Sequence, residues 1–409
     1  MENMNHLAPH ARFKIEEDNI FKVGAKAKAA KEQFGAAQVV DGSIGILLDD
    51  QGQLALMKSV DQATALLKGE ELAPYAPIGG LASFNEDVVS YLFGQPKGPV
   101  KAIATAGATG AVSQMVWNML SMGDMFITHD YFWSPYRAIA RNYVRKLVTF
   151  QTFTETGGFN VAGALEEVRR CLDIQGRALL VINVPCHNPT GMDMTMEEAR
   201  SLKDGLVALA RNNPQKPITL LIDGAYWEFG DATANSALLN TFTNLPDNLL
   251  FTLAYSISKS LTRYGFRTGA LAFCHSRTEV IDELVGTFVS SIRATWSNTT
   301  RIGQAVFSKI YRNTELRAQL QAEQTAFATL CNQRGATFVA ESDRIGLPHT
   351  PYKKGFFTIL PTANPQQVAD RLAQERIFLV PMKNGVRIAF CALPTHQIHG
   401  LAERIAKFI

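Results

Sequence analysis

No two cysteines in this chain form a Cys-x-x-Cys pair. The five present (Cys171, Cys186, Cys274, Cys331 and Cys391) are odd in number and far apart. That spacing argues against a disulfide framework or a zinc site, so no metal is expected, and it suits a reducing, cytoplasmic compartment. No stretch reaches the ~18 uncharged apolar residues of a membrane span. Residues 1–19 contain no apolar core of signal-peptide length. The net charge is only +3, and the lysines and arginines are scattered rather than clustered. Neither a nucleic-acid footprint nor a polybasic membrane patch is written here. Internal repeats and low-complexity linkers are lacking as well.

What is present is an ordinary globular composition, 46% hydrophobic and 19% charged, over 409 residues. That length fits one large and one smaller domain. Short apolar or β-branched runs at 101–105, 125–129, 177–184, 218–222, 249–254 and 268–273 alternate with helical periodicity, including a helix over 111–120. Runs that are apolar without alternation read as strands buried on both faces, hence a mostly parallel sheet covered by helices. Residues 305–334 read as one or two helices leaving this unit. Beyond them, 355–360 and 386–390 are short strands and 399–409 a final helix, a smaller α+β unit that the strand-like 39–50 joins. The expected division is 1–55 for an N-terminal arm and part of the small domain, 56–315 for the large domain and 316–409 for the rest of the small domain.

Sheets of this kind hold ligands beyond the carboxyl ends of their strands, so the residues after each run matter most. Residues 106–111, Ala-Gly-Ala-Thr-Gly-Ala, lead from a strand into a helix. Such a small-residue turn serves either as an anion site of backbone N–H groups or as a packing device. The next apolar run ends in Cys186-His187-Asn188-Pro189-Thr190-Gly191, a good turn sequence in its own right. Another ends in Asp223 and Tyr226. A carboxylate closing a buried strand either has a functional partner or caps the following segment. After 249–255 come Ser256, Ser258, Lys259 and Ser260, then Gly265-Phe266-Arg267-Thr268-Gly269. A lone lysine is usually a surface charge, but this one lies between two buried runs.

In order and spacing, GATGA, CHNPTG, DGAY and SISKS with a downstream GFRTGA resemble the pyridoxal 5′-phosphate (PLP) enzymes of fold type I. The closest likeness is to the aspartate and aromatic aminotransferases of class I/II, over about 44–387. The resemblance implies an α/β large domain with a mostly parallel seven-stranded sheet covered by helices, plus a smaller α+β domain. It implies PLP held as a Schiff base on Lys259, which also moves the substrate proton, with Asp223 on the ring nitrogen. Asn188 and Tyr226 would bond the ring oxygen, and Trp133 would stack on the ring. Arg267, Ser256, Thr109 and the amides at Gly107 and Ala108 would hold the phosphate. Arg387, assisted by Gly45, would clamp the substrate α-carboxylate. Arg293, in a Ser-Ile-Arg-Ala-Thr-Trp-Ser-Asn segment, would meet a distal carboxylate, and Tyr75 would meet the phosphate. Both would reach the neighbouring site of a homodimer.

The implied activity is transfer of an amino group between aspartate, glutamate or an aromatic amino acid and a 2-oxo acid such as 2-oxoglutarate. Another PLP reaction, elimination or decarboxylation, uses the same cofactor residues, and Arg293 is the feature that favours a dicarboxylic amino acid. A ligand-sensing regulator would need a DNA-binding domain that the short N-terminal segment does not hold. The sequence departs from the family at Trp133-Ser134-Pro135-Tyr136, where an Asn and a His usually follow the Trp. The histidine that supports the aspartate is missing; Tyr136 is a candidate to replace it, and the sequence leaves the replacement open. Ala108 stands where a second glycine is common, and Gly-Val-Arg at 385–387 where the family has Ser-Gly-Arg.

Overall fold

Apolar runs that do not alternate become strands covered from both sides. The computed structural model describes residues 6–8, 11–12 and 19–409, so 1–5, 9–10 and 13–18 of the expected segment 1–55 lie outside the described residues. In chain order the strands are β1 (Val40–Asp41), β2 (Val100–Thr105), β3 (Met125–His129), β4 (Lys146–Phe150), β5 (Ala178–Asn183) and β6 (Ile218–Gly224). They continue with β7 (Leu249–Tyr255), β8 (Gly269–Cys274), β9 (Phe357–Pro361), β10 (Ile377–Phe378), β11 (Val380–Met382) and β12 (Gly385–Ala389).

Seven of these form one sheet in the order β2-β8-β7-β6-β5-β3-β4. Only β8 runs against its neighbours; the others point the same way. Successive residues of a strand serve opposite faces. Leu180 and Ile182 of β5 join one buried cluster with the helices Val161–Gln175 and Met196–Asn212. Leu179 and Val181 join another with Gly107–Met119 and Thr278–Thr295. This two-sided burial is the expected α/β architecture. The seventh strand, β4, has no counterpart among the runs read from the sequence. It is an edge strand with exposed Lys146 and Thr149, so its apolar signal is weak. The helix expected over 111–120 starts earlier, at Gly107, directly at the end of the β2 turn.

A three-stranded antiparallel sheet, β11-β12-β9, and the parallel pair β1-β10 build the smaller unit. Only Val40 and Asp41 of the strand-like 39–50 pair in that way, and Leu48 makes an isolated bridge with Leu54. The helical stretch after 300 is two helices, Arg301–Tyr311 and the 32-residue Thr314–Ile345. The long helix contributes Leu316 and Leu320 to the large-sheet core and Phe338 to the smaller core. No helix among the described residues is long and apolar enough to cross a membrane.

Candidate active site

Strand register brings the carboxyl ends of β5, β6 and β7 to one level. Asn183, Asp223 and Ala254 are neighbours across β5, β6 and β7. Because β8 is reversed, its first residue, Gly269, pairs with Thr105 at the far end of β2. The segments leaving β2, β3, β5, β6 and β7, and the one entering β8, therefore meet around one cavity. Ala108, Thr109, Trp133, Asn188 and Asp223 line it, as do Tyr226, Ser256, Lys259 and Arg267. The wall also includes Asn183 and Ala225, which the sequence reading did not single out.

Asp223 is 4% exposed. Its Oδ2 accepts the Tyr136 hydroxyl at 2.5 Å and its Oδ1 the amide of Ala225 at 3.2 Å. Burial raises its carboxyl to about 6 against the opposing effects of these hydrogen bonds and the Lys259 charge. Asn183 fixes the frame: its Nδ2 donates to the Asp223 carbonyl at 2.7 Å, and its Oδ1 accepts the Asn188 amide at 2.7 Å. The Asn188 side chain in turn donates to the Tyr226 hydroxyl at 3.4 Å.

Lys259 projects from the single helical turn Ile257–Ser260, and its own amide donates to the Ser256 hydroxyl at 3.3 Å. Its ammonium lies 3.5 Å from the Tyr226 hydroxyl and 5.2 Å from the centre of the Tyr264 ring. Burial lowers its pKa to about 8. Arg267 and Arg387 push the same way, and Cys391 and Asp223 oppose them. An amine with that value is neutral in about one molecule in ten at pH 7, far more often than an unperturbed lysine. Tyr264 also accepts the Leu47 amide at 2.9 Å, tying the loop of Lys259 to the segment that carries Gly45. Nothing in the local sequence marked Tyr264, because its partner is 217 positions away.

At the other end of the cavity, Arg267 takes a left-handed conformation, φ 47°, immediately before β8. Gly107, at φ 68°, faces it so closely that a Cβ would lie 3.0 Å from Arg267 Nη2. Gly269 allows the same approach from behind, since a Cβ there would meet the Gly107 carbonyl carbon at 2.5 Å. A guanidinium and the amides of a helix start are thus held side by side, the arrangement that suits a phosphate.

Arg387 comes from β12 of the smaller unit and is 2% exposed. Its Nη2 donates to the Ser43 carbonyl at 2.7 Å, its Nη1 reaches Asn188 Oδ1 at 3.4 Å, and it lies 4.4 Å from the Phe357 ring centre. Gly45 is close by: a Cβ there would press on Phe357 at 2.8 Å. Five expected residues are not among those that line the cavity: Gly107, Gly45 and Arg387 adjoin its lining residues Arg267, Tyr226 and Asn188, and two others are exposed. Tyr75 is 89% exposed, its carbonyl held by Arg301. Arg293 is exposed on the helix Thr278–Thr295, bonded to Ser297 Oγ at 2.5 Å.

Comparison with known proteins agrees with this fold. The family model for aminotransferases of class I and II matches residues 37–405. The aspartate aminotransferase of Pseudomonas aeruginosa is 27% identical over 292 residues, 68% of this chain and 70% of that protein. The crystal structure of an aminotransferase from Anaerococcus prevotii has a TM-score of 0.96 at 34% identity, covering 99% of each chain. An aromatic-amino-acid aminotransferase from Burkholderia pseudomallei, covalently bound to pyridoxal phosphate, shares the fold. Its TM-score is 0.81 at 22% identity, over 98% of this chain and 100% of that one. The chain belongs to the class I and II aminotransferases.

Proposed function

We propose that this aminotransferase anchors PLP covalently through Lys259 and moves amino groups between aspartate, glutamate or an aromatic amino acid and a 2-oxo acid such as 2-oxoglutarate. The observation that carries the reading is the convergence of Lys259, Asp223 and Arg267 from three strand ends on one cavity, with Arg387 alongside. These residues fit the cofactor. A buried carboxylate suits a ring N–H⁺, a lysine with a lowered pKa suits an aldehyde, and Arg267 beside Gly107 suits a phosphate. The relatives named above are aminotransferases, which favours transamination over elimination or decarboxylation.

Bound there, PLP supplies an electron sink for the carbanion formed at the substrate Cα. The protein does the rest. Arg387 grips the α-carboxylate with a guanidinium already oriented by Ser43 and Asn188, so the substrate's Cα–H bond is turned toward Lys259. Neutral Lys259 Nζ is the base that takes the Cα proton. Tyr226 and Asn188, bonded to each other, present a hydroxyl and an amide to the ring oxygen. Trp133 covers a ring face, and Ser256 and Thr109 add hydroxyls to the phosphate end.

Arg293 and Tyr75 act in the neighbouring site of a homodimer, a reading supported by their exposure outside this chain's own cavity. The unit formed by 316–409 with residues up to 55 closes over the substrate and carries Arg387 and Gly45. A cytoplasmic location fits five cysteines that are all unpaired. The test is spectroscopic. The purified protein should show a visible absorption band that glutamate or aspartate, added without an oxo acid, shifts into the near ultraviolet. A band that no amino acid shifts would move the chemistry away from transamination, and no band even with PLP supplied would refute the cofactor assignment.

A further inference from the structure

Tyr136 lies in the first turn of the helix Pro135–Asn142 and is wholly buried. Its ring is edge-on to Trp133, with centres 5.5 Å apart, and to Phe126 at 6.4 Å. Aromatic packing on both sides fixes the ring, and its hydroxyl ends on Asp223 Oδ2 at 2.5 Å. The remaining ionisable groups facing this carboxylate are Lys259 and Tyr226. Arg267, Arg387 and Cys391 stand beyond it, around Lys259. On β6 itself and its exit, the only other donor to the carboxylate is the amide of Ala225.

We propose that Tyr136 is a positioning residue for Asp223, its hydroxyl holding the carboxylate ionised and aimed into the cavity so that it can keep a proton on the cofactor's ring nitrogen. The inference rests on the reading that this cavity takes PLP. Burial and the adjacent Asp223 charge push the phenol well above its usual range, so it stays protonated and only donates. A donated hydrogen bond stabilises the anion over the acid, and inside a dry site it is one of few forces opposing protonation of Asp223. A neutral donor does this without adding charge, which an imidazolium in the same place would not.

Removing the hydroxyl while keeping the ring separates this role from packing. For Tyr136→Phe, the proton affinity of Asp223 should rise by about one to two pH units. PLP binding to the unloaded protein is then weakened at acid pH and restored at alkaline pH. The experiment measures the PLP dissociation constant of wild type and Y136F by fluorescence from about pH 5 to 9, with thermal melts to verify folding. The expected ratio of variant to wild-type constants is near one at the alkaline end and climbs about tenfold or more toward the acid end. Tyr136→His, which offers an N–H donor at the same place, should move the profile less than Y136F does. A ratio that is constant across pH would overturn the proposal and leave Tyr136 a packing residue. Failure of the wild type to bind PLP at any pH would overturn the cofactor reading, and this inference with it.

Discussion

Two side chains with shifted proton affinities set the expected behaviour of the site. Because burial lowers Lys259 to about 8, its reactive neutral form grows as pH rises through that value. The rate of PLP attachment to the unloaded protein should therefore climb with pH and level off above about 8, followed by the visible band in stopped flow. Lys259→Ala should remove that band and lower turnover at least ~10²–10⁴-fold, the range of positioned proton transfer. Arg387→Lys should raise KM about tenfold or more for every substrate, since all share the α-carboxylate and an ammonium lacks the planar fork. Lys259 and Asp223 were legible in the sequence because a charge at the end of a buried apolar run is conspicuous. Asn183 ends β5 with an uncharged amide, a weaker signal, and its side chain binds backbone at Asp223 and Asn188. Tyr264 was not legible at all, because its role exists only through Leu47 and Lys259.

Where elements meet, glycines and a buried acid are the points of sensitivity. Gly107→Ala combines a positive φ with a 3.0 Å approach to Arg267. It should cost about 1–2 kcal/mol and loosen the phosphate end, measured as faster PLP loss on dialysis. Gly269→Ala, aimed at backbone, should reduce soluble yield more severely. Glu228 joins three elements, since Tyr91 of the helix Ala82–Phe93 and Tyr255 of β7 both donate to it. Burial raises its carboxyl from 4.5 to about 7, with those hydroxyls opposing. The folded protein thus keeps a proton that the unfolded chain releases between those values, and this group's contribution to stability falls as pH rises through that window. Glu228→Gln lacks that dependence. In urea melts at about pH 5 and 8, the variant should gain on the wild type at the higher pH by roughly 3 kcal/mol at most. An equal difference at both would contradict the assignment. Most strands could be read because two-sided burial leaves an unbroken apolar run, whereas β4, exposed along one side at the sheet edge, leaves none.

For the whole molecule, the decisive question is whether sites are shared. Arg293→Ala should hurt dicarboxylic substrates far more than aromatic ones. Mixed with Lys259→Ala and refolded together, the two inactive or impaired chains should regain aspartate turnover. In the hybrid, one site has Lys259 from one chain and Arg293 from the other. No recovery in confirmed hybrids would place Arg293 outside the neighbouring site. Sequence alone named Arg293 and Tyr75 through family likeness, while their exposure on this chain is a property of the folded surface. The arrangement of the groups has one further consequence. Every residue proposed to touch the cofactor from within this chain hangs from an end of the seven-stranded sheet or its exit loops, whereas Arg387 hangs from β12. Reagent and α-carboxylate grip are thus carried on separate pieces of chain, while Arg293 stays on the same piece as the reagent. Recombining the last ninety or so residues with those of a relative should therefore retune the grip common to all substrates and leave both the reactive chemistry and the preference for a distal carboxylate where they are.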